Sequence, residues 1–292
     1  SLRPGAIAEM GEVHYAAWGN IMHSVKTGEI AFDNHFGMDV WEYFETDPEK
    51  AQNFNKYMAK SSESISQAIV ESYDFSKVQK IIDVGGGLGG PARVLASRSG
   101  AHVTVLDLTP SFVEQGRVLG ERVGMSDQVD FLVGDGTDMP FADASFDGAW
   151  PQHSTMNIAN KEALYAEIHR VLKPGGKLAM HEVMLGNGEP VAYPVPWAAE
   201  EQFSHLRPAD EMRSLIAETG FREVSWTDET AKVLMFVDRG PAGQVGEQSG
   251  PAQQPPGQMI LFGPAFIERI QNFGRNLGSG RIVVVQALFE KS

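Results

Sequence analysis

From Lys77 to the end of the chain, short β-branched runs alternate with longer stretches whose apolar residues recur near the helical period. That alternation predicts a sheet of mostly parallel strands joined by helices. Strands are expected over Lys80–Val84, His102–Leu106, Val129–Val133, within Ser145–Gln152, and over Lys177–Leu185, Phe221–Trp226 and Arg281–Phe289. Helices are expected over about Leu88–Ser97, Ser111–Val123, Lys161–Leu172, Pro208–Thr219 and Pro264–Leu277, with Lys173-Pro174-Gly175-Gly176 as a stop before the fifth strand. Residues 6–72 read as helices instead: Phe54, Tyr57, Met58, Ile65, Ala68, Ile69 and Tyr73 follow the 3.6 period, and Asp47-Pro48 marks a helix start. Aromatics concentrate over Ala31–Phe44 (Phe32, Phe36, Trp41, Tyr43, Phe44), enough for core packing with one or two to spare for a pocket. The expected organisation is a helical cap and pocket region over 1–76, then an α/β domain over 77–292. A Gly-, Pro- and Gln-rich stretch at about 239–258 is expected to form a flexible insertion in it.

Composition narrows the function. The 292 residues carry a formal net charge of −14, from 38 acidic and 24 basic residues, a balance that repels a phosphate backbone and argues against nucleic acid as substrate. With no cysteine, thiol catalysis, disulfides and thiolate metal sites are excluded, and a cytoplasmic location is expected. Ser1-Leu2-Arg3-Pro4-Gly5 opens no apolar run of the kind a secretory signal needs, and no stretch approaches the ~20 apolar residues of a membrane span. His and carboxylates are not clustered at ligand spacing, so no metal is expected.

The candidate chemistry lies at the strand ends. Ile81-Ile82-Asp83-Val84-Gly85-Gly86-Gly87-Leu88-Gly89-Gly90 sets a glycine-rich turn between the first strand and the first helix of the sheet. Glycines there permit positive φ and let a ligand approach the backbone, while Asp83 suits a cationic or amino-bearing group. Such a loop alone fits a hydride-transferring dehydrogenase as well as a methyltransferase. Asp107, 22 residues beyond Gly85, is placed to accept from both hydroxyls of a ribose. Asp135, in Val133-Gly134-Asp135-Gly136-Thr137, is placed to accept from an adenine amine. Three acids at the carboxyl ends of three successive strands face one crevice, where open α/β sheets bind ligands.

Asp83–Gly89, Asp107, Asp135 and Leu172-Lys173-Pro174-Gly175-Gly176 together resemble the class I S-adenosylmethionine-dependent methyltransferases. The resemblance spans about Lys77–Trp226 and implies a Rossmann-like seven-stranded fold with S-adenosyl-L-methionine as cofactor. It further implies that Asp83, Gly85, Gly86, Gly87 and Gly89 hold the methionine part, Asp107 with Leu108 the ribose, and Asp135 with Gly136 the adenine, with Gln152 completing the cofactor site. The flanks resemble two branches. Gly90-Pro91-Ala92-Arg93, Leu108-Thr109-Pro110 and Gln152–Ile158 are similar to methyltransferases of quinones, sarcosine or dimethylglycine. Tyr15–Gly19, Ser24–Gly28 and Phe36-Gly37-Met38 are similar to small-molecule O-methyltransferases, so the chain reads as a hybrid of the two.

A hydroxyl acceptor must lose a proton, which calls for a His or carboxylate within reach. The O-methyltransferase branch keeps a His-Asp pair just after the fourth strand, and Met156-Asn157 stand in those places here. The remaining bases are His153 and Glu182, then His14 and His181; since His181 and Glu182 adjoin on one strand, they must point to opposite faces. His14, Trp18, Met156 and Trp197 are expected to line the acceptor pocket. The expected function is methyl transfer to a small molecule, either O-methylation of an aromatic or natural-product hydroxyl or C- or N-methylation, by a monomer or homodimer without nucleic-acid or membrane partners. Binding of S-adenosylmethionine without transfer, and NAD-dependent dehydrogenation, are the alternatives.

Overall fold

The computed structural model describes residues 16, 19–27, 31–38, 43, 46, 78–239 and 257–292. Its helices are α1 (Ile21–Thr27), α2 (Ala31–Phe36), α3 (Gly90–Ser99), α4 (Pro110–Arg122), α5 (Lys161–Val171), α6 (Ala209–Glu218), α7 (Thr230–Arg239) and α8 (Gly257–Gly278). Its strands are β1 (Lys80–Val84), β2 (His102–Asp107), β3 (Val129–Val133), β4 (Phe146–Trp150), β5 (Leu172–Leu185), β6 (Phe221–Asp228) and β7 (Ile282–Lys291). They form one seven-stranded sheet in the order β3-β2-β1-β4-β5-β7-β6. Only β7 runs antiparallel to its neighbours, β5 and β6. The α/β class, the strand count and the mostly parallel sheet are thus as the sequence predicts. The order reverses between β1 and β4, and a crevice opens at that switch point, outside the carboxyl ends of the strands.

Each face of the sheet has its own core. Ile82, Val84, Leu178 and Met180 pack with Leu164, Tyr165 and Ile168 of α5 and Met212 and Ile216 of α6. Ile81, Val103, Val105, Trp150 and Ala179 pack with Ala92, Leu95 and Ala96 of α3 and Val113 of α4. A strand covered on both faces need not alternate apolar with polar, and β1 is buried without a break from Ile81 to Val84. One ring organises the second face. The Phe131 side chain fills the space against Gly89, where an added Cβ would meet it at 2.5 Å, and against Gly116 in α4, where an added Cβ would overlap it outright.

Several elements depart from the expectation. The Lys173–Gly176 stretch lies inside β5, not ahead of it: Leu172 pairs with Phe146 and Lys177 with Gly148, and the register shifts between those pairs as the chain turns through Gly175 at φ +74°. Helix α7 has no counterpart among the expected elements, and α8 begins at Gly257, about two turns earlier than the apolar period suggests. Residues 240–256 of the Gly/Pro/Gln-rich stretch lie outside the described residues.

The chain divides into two compact units, one of 1–61, 192–199 and 234–275 and one of 62–191, 200–233 and 276–292. The sequence reading places a single boundary at 76/77. The second unit contains the sheet. In the first, buried Phe32 packs on Phe36 at 4.5 Å and meets Tyr43 edge-on at 5.5 Å. Residues 192–199 are tied to α8 through Arg269 Nη1 donating to Val195 O at 2.9 Å and Asn272 Nδ2 to Pro194 O at 3.0 Å. Among the described residues no helix is long and apolar enough to cross a membrane.

Alanine ordinarily stabilises a helix relative to glycine by up to ~1 kcal/mol. Gly116→Ala should do the opposite, destabilising the fold by about 1–3 kcal/mol through overpacking on Phe131. Urea unfolding of the variant checks this, and Phe131→Leu in the same chain should recover part of the loss.

Candidate active site

Two segments meet at the switch point: the glycine loop after β1 and the turn Gln152–Thr155 after β4. Asp83, one residue before the end of β1, has 1% of its surface exposed, and its Oδ2 has no hydrogen-bond partner. Gly86 packs so tightly on this carboxylate that any Cβ would collide with it. Gly85, Gly87 and Gly89 take positive φ (70°, 54° and 70°), which keeps side chains out of the loop. Asp107 ends β2 with both oxygens oriented by backbone: Oδ2 accepts from Gly87 N at 2.8 Å and Oδ1 from Thr109 N at 2.9 Å. The second strand's acid is thus bonded directly to the glycine loop.

The turn after β4 is held from three sides. Ser154 Oγ donates to Val84 O at 2.6 Å, and its Cβ occupies the space that a Cβ on Gly85 would need. Glu182, with no exposed surface, accepts at Oε1 from Ser154 N (3.2 Å) and Thr155 N (3.3 Å). His153 N donates to His181 O at 3.1 Å, and Gln152 forms an isolated parallel bridge to His181. His153 itself takes φ +52°, a left-handed conformation that a non-glycine residue keeps only where its surroundings enforce it. Its exposed imidazole meets His181 across 2.9 Å, from Nε2 to Nδ1. His181 and Glu182 do point to opposite faces, and they grip the same turn from both.

Burial sets the electrostatics. It pushes the Asp83 carboxyl up to about 8, helped by the negative charge of Asp107 and opposed by Arg93. Burial likewise raises Glu182 to about 7, against the two backbone N–H groups, the Thr155 hydroxyl and Lys161. Lys161 lies buried beneath the turn, donating to Thr155 O and, at 2.8 Å, to Ile158 O, and is lowered to about 8. His153 is pushed below its ordinary value by the protein crowded around it and by His181, and His181 is pushed down to about 4 by burial, against the pull of Glu229. Both imidazoles are therefore neutral at pH 7.

The other expected residues divide. Asp135 is exposed, with Oδ1 accepting from Thr137 N and Oγ1 at 2.8 Å each, and Gly136 sits where a Cβ would press on Val84 and Leu164. Leu108 leaves 69% of its side chain exposed beside Asp107. Gln152 Oε1 accepts from Trp150 Nε1 at 3.2 Å. Met156 is buried in the short 3₁₀ turn Thr155–Asn157, whose amino end Glu182 caps. Trp197 belongs to the other unit and packs edge-on against Phe273 at 5.9 Å. His14 and Trp18 lie outside the described residues. Ser154 and Lys161 went unread because neither type at its position suggests more than a turn and a helix start. Among the described residues no group of three or more His, Asp or Glu stands close enough to hold a metal.

Residues 82–180 match the methyltransferase domain family. The chain is 30% identical over 231 residues to the O-methyltransferase rstn1 of Aspergillus nomiae, covering 78% of this chain and 95% of that protein. The chain belongs to the S-adenosylmethionine-dependent methyltransferases. Against the sterol 24-C-methyltransferase ERG6B of Gibberella zeae the enzyme is 42% identical over 106 residues, 36% of its own length and only 28% of that relative's. Its fold matches that of phosphoethanolamine N-methyltransferase 2 of Haemonchus contortus in complex with S-adenosyl-L-methionine, with a TM-score of 0.62 at 19% identity, over 78% of this chain and 52% of that one. The methyltransferase carries a methyl group from S-adenosylmethionine to a small-molecule acceptor.

A carboxyl whose folded pKa lies above its unfolded one holds its proton better in the native state, so stability falls as pH rises between the two values. For Glu182 that window runs from the ordinary 4.5 to about 7. Glu182→Gln keeps an acceptor for the Ser154 and Thr155 N–H groups and removes the titration. The variant should gain roughly 1–3 kcal/mol relative to the parent between pH 5 and pH 7.5. Urea unfolding at the two pH values measures it.

Proposed function

We propose that this methyltransferase O-methylates an acidic hydroxyl, a phenol or enol, on a small aromatic or polyketide-like natural product. The carrying observation is His153: an exposed, neutral imidazole at the carboxyl end of β4, whose Nδ1 has no hydrogen-bond partner among the described residues. A base depressed in this way cannot deprotonate an aliphatic alcohol efficiently, because proton transfer works best between groups of matched pKa. It suits a hydroxyl that ionises readily. That rstn1, matched over 95% of its length, is named an O-methyltransferase supports transfer to oxygen.

The cofactor's residues fit their group. Bound S-adenosylmethionine supplies a methyl on a positively charged sulfonium. The partnerless Oδ2 of Asp83 is an unused acceptor for its cationic methionine part, the loop Gly85–Gly89 offers bare backbone, and Asp107 presents two oriented oxygens to the ribose. Asp135 and Gly136, with exposed Leu108, would receive the adenine, and Gln152 would border it. Glu182 has no exposed surface and serves as the support of the turn instead of as the base. Met156, in the short turn that follows His153, is assigned to the acceptor side of the site. The enzyme would act in the cytoplasm as a monomer or homodimer.

A screen of phenols, enols, alcohols and amines, read by S-adenosylhomocysteine release, tests the acceptor class. Turnover confined to aliphatic alcohols or amines overturns it. Asp107→Ala should weaken S-adenosylmethionine binding by ~1.5–3 kcal/mol by calorimetry, and should also cost the fold about 1–3 kcal/mol, because the Gly87 and Thr109 N–H groups lose their acceptor. His153→Ala should lower kcat by about 10²–10⁴-fold with cofactor Kd unchanged. The parent's kcat should stay flat from pH 8 down through 6.5 and fall only as the pH nears the depressed value of about 3, since the imidazole must be neutral to act.

A further inference from the structure

We propose that His181 is the positioning residue that fixes the tautomer of His153, so that His153 Nδ1 carries the lone pair that takes the acceptor's proton. The inference rests on His153 as the base and stands in for the missing His-Asp pair at Met156-Asn157. The Nε2–Nδ1 contact of 2.9 Å leaves two arrangements. Either His181 Nδ1–H donates to His153 Nε2, which puts the His153 proton on Nδ1 and makes it useless as a base, or His153 Nε2–H donates to His181 Nδ1, which leaves Nδ1 free.

The surroundings of His181 choose between them. His181 pairs in register with Gln286 of β7, which pairs with Thr227 of β6, so these three share one face of the sheet. Glu229 follows two residues later, and its negative charge acts on His181. A carboxylate on that side holds the His181 proton on Nε2, toward the sheet edge, because a lone pair there would face a like charge. Nδ1 of His181 is then an acceptor and His153 Nε2–H its donor. Lys232 pairs with the same carboxylate at 2.7 Å and weakens its field without reversing it. The left-handed backbone at His153 and the bond from His153 N to His181 O hold the two rings in this relation.

In the reaction the hydroxyl proton goes to His153 Nδ1, the oxygen pair forms the new O–CH3 bond, and the S–CH3 bond breaks to give neutral S-adenosylhomocysteine. One positive charge enters as sulfonium and ends on the His153–His181 pair. Neutral His181 keeps accepting from the His153 Nε2–H as the charge arrives, and the negative Glu229 acts favourably on the His181 side of the pair. This is the part a carboxylate plays behind a catalytic histidine elsewhere, where loss of the correct tautomer costs about 10⁴-fold.

Nitrogen NMR of the parent enzyme at pH 7.5, with imidazole-labelled histidine, reads the tautomer without any turnover. His153 should carry its proton on Nε2; a proton on Nδ1 overturns the proposal. His181→Leu removes the acceptor and should lower kcat by about 10–10³-fold with acceptor KM and cofactor Kd within about threefold. His181→Asn restores an acceptor through Oδ1 and should recover kcat to within about tenfold of the parent. Equal losses in both variants, or none in either, overturn the positioning role. If His153→Ala keeps full kcat while NMR finds the Nε2 tautomer, the base assignment fails and the tautomer stands, so the two failures are separable.

Discussion

The carboxylate of Glu182 lies in the core under β4 and β5, where an isolated charge is costly, and it stays because Ser154 and Thr155 turn their N–H groups onto it. That exchange fixes the turn after β4. Once the turn is fixed, Ser154 reaches Val84 and closes on Gly85, and His153 is forced into a left-handed backbone beside His181. Lys161 completes the support by gathering the carbonyls of Thr155 and Ile158 from below. The turn after β4 is therefore backbone held by the buried side chains of Glu182 and Lys161.

A similar economy governs the cofactor end. Phe131 fits where Gly89 and Gly116 leave room, so helix α4 and the start of α3 close on one ring and the glycine loop is set by the hydrophobic core beneath it. Asp107 then joins loop and strand through the Gly87 N–H. Rigid elements position the loop, and the loop needs no side chains of its own.

Much of this was legible in the chain. The β-branched and apolar runs marked every strand within a few residues, whether buried throughout like β1 or partly exposed like β6. Asp83, Asp107 and Asp135 could be placed at or just beyond strand ends because each lies at the close of an apolar run. Lys173–Gly176 does follow the end of helix α5, but it belongs to β5 and does not precede it, since Pro and Gly break helices and bulge strands alike. Glu182 was visible as a carboxylate on a strand, yet its role depends on which backbone it meets across the sheet, a nonlocal fact that spacing does not encode. The same holds for His153 and His181, 28 residues apart and joined only by the pairing of β4's extension with β5. The residues 192–199 read as part of the sheet domain because the chain passes through them between two of its elements, while their hydrogen bonds go to α8.

Asp83 holds a proton below about pH 8 because burial outweighs the nearby guanidinium of Arg93. On the proposed assignment, a cationic ligand arriving at Oδ2 replaces that proton as the compensating charge. Cofactor capture then expels a proton to solvent, and its affinity climbs with pH until the carboxyl is already ionised in the free protein. On that assignment the glycine loop is a site of proton exchange as well as of recognition: a lower pH weakens cofactor capture, and departure of the product returns the proton to the strand.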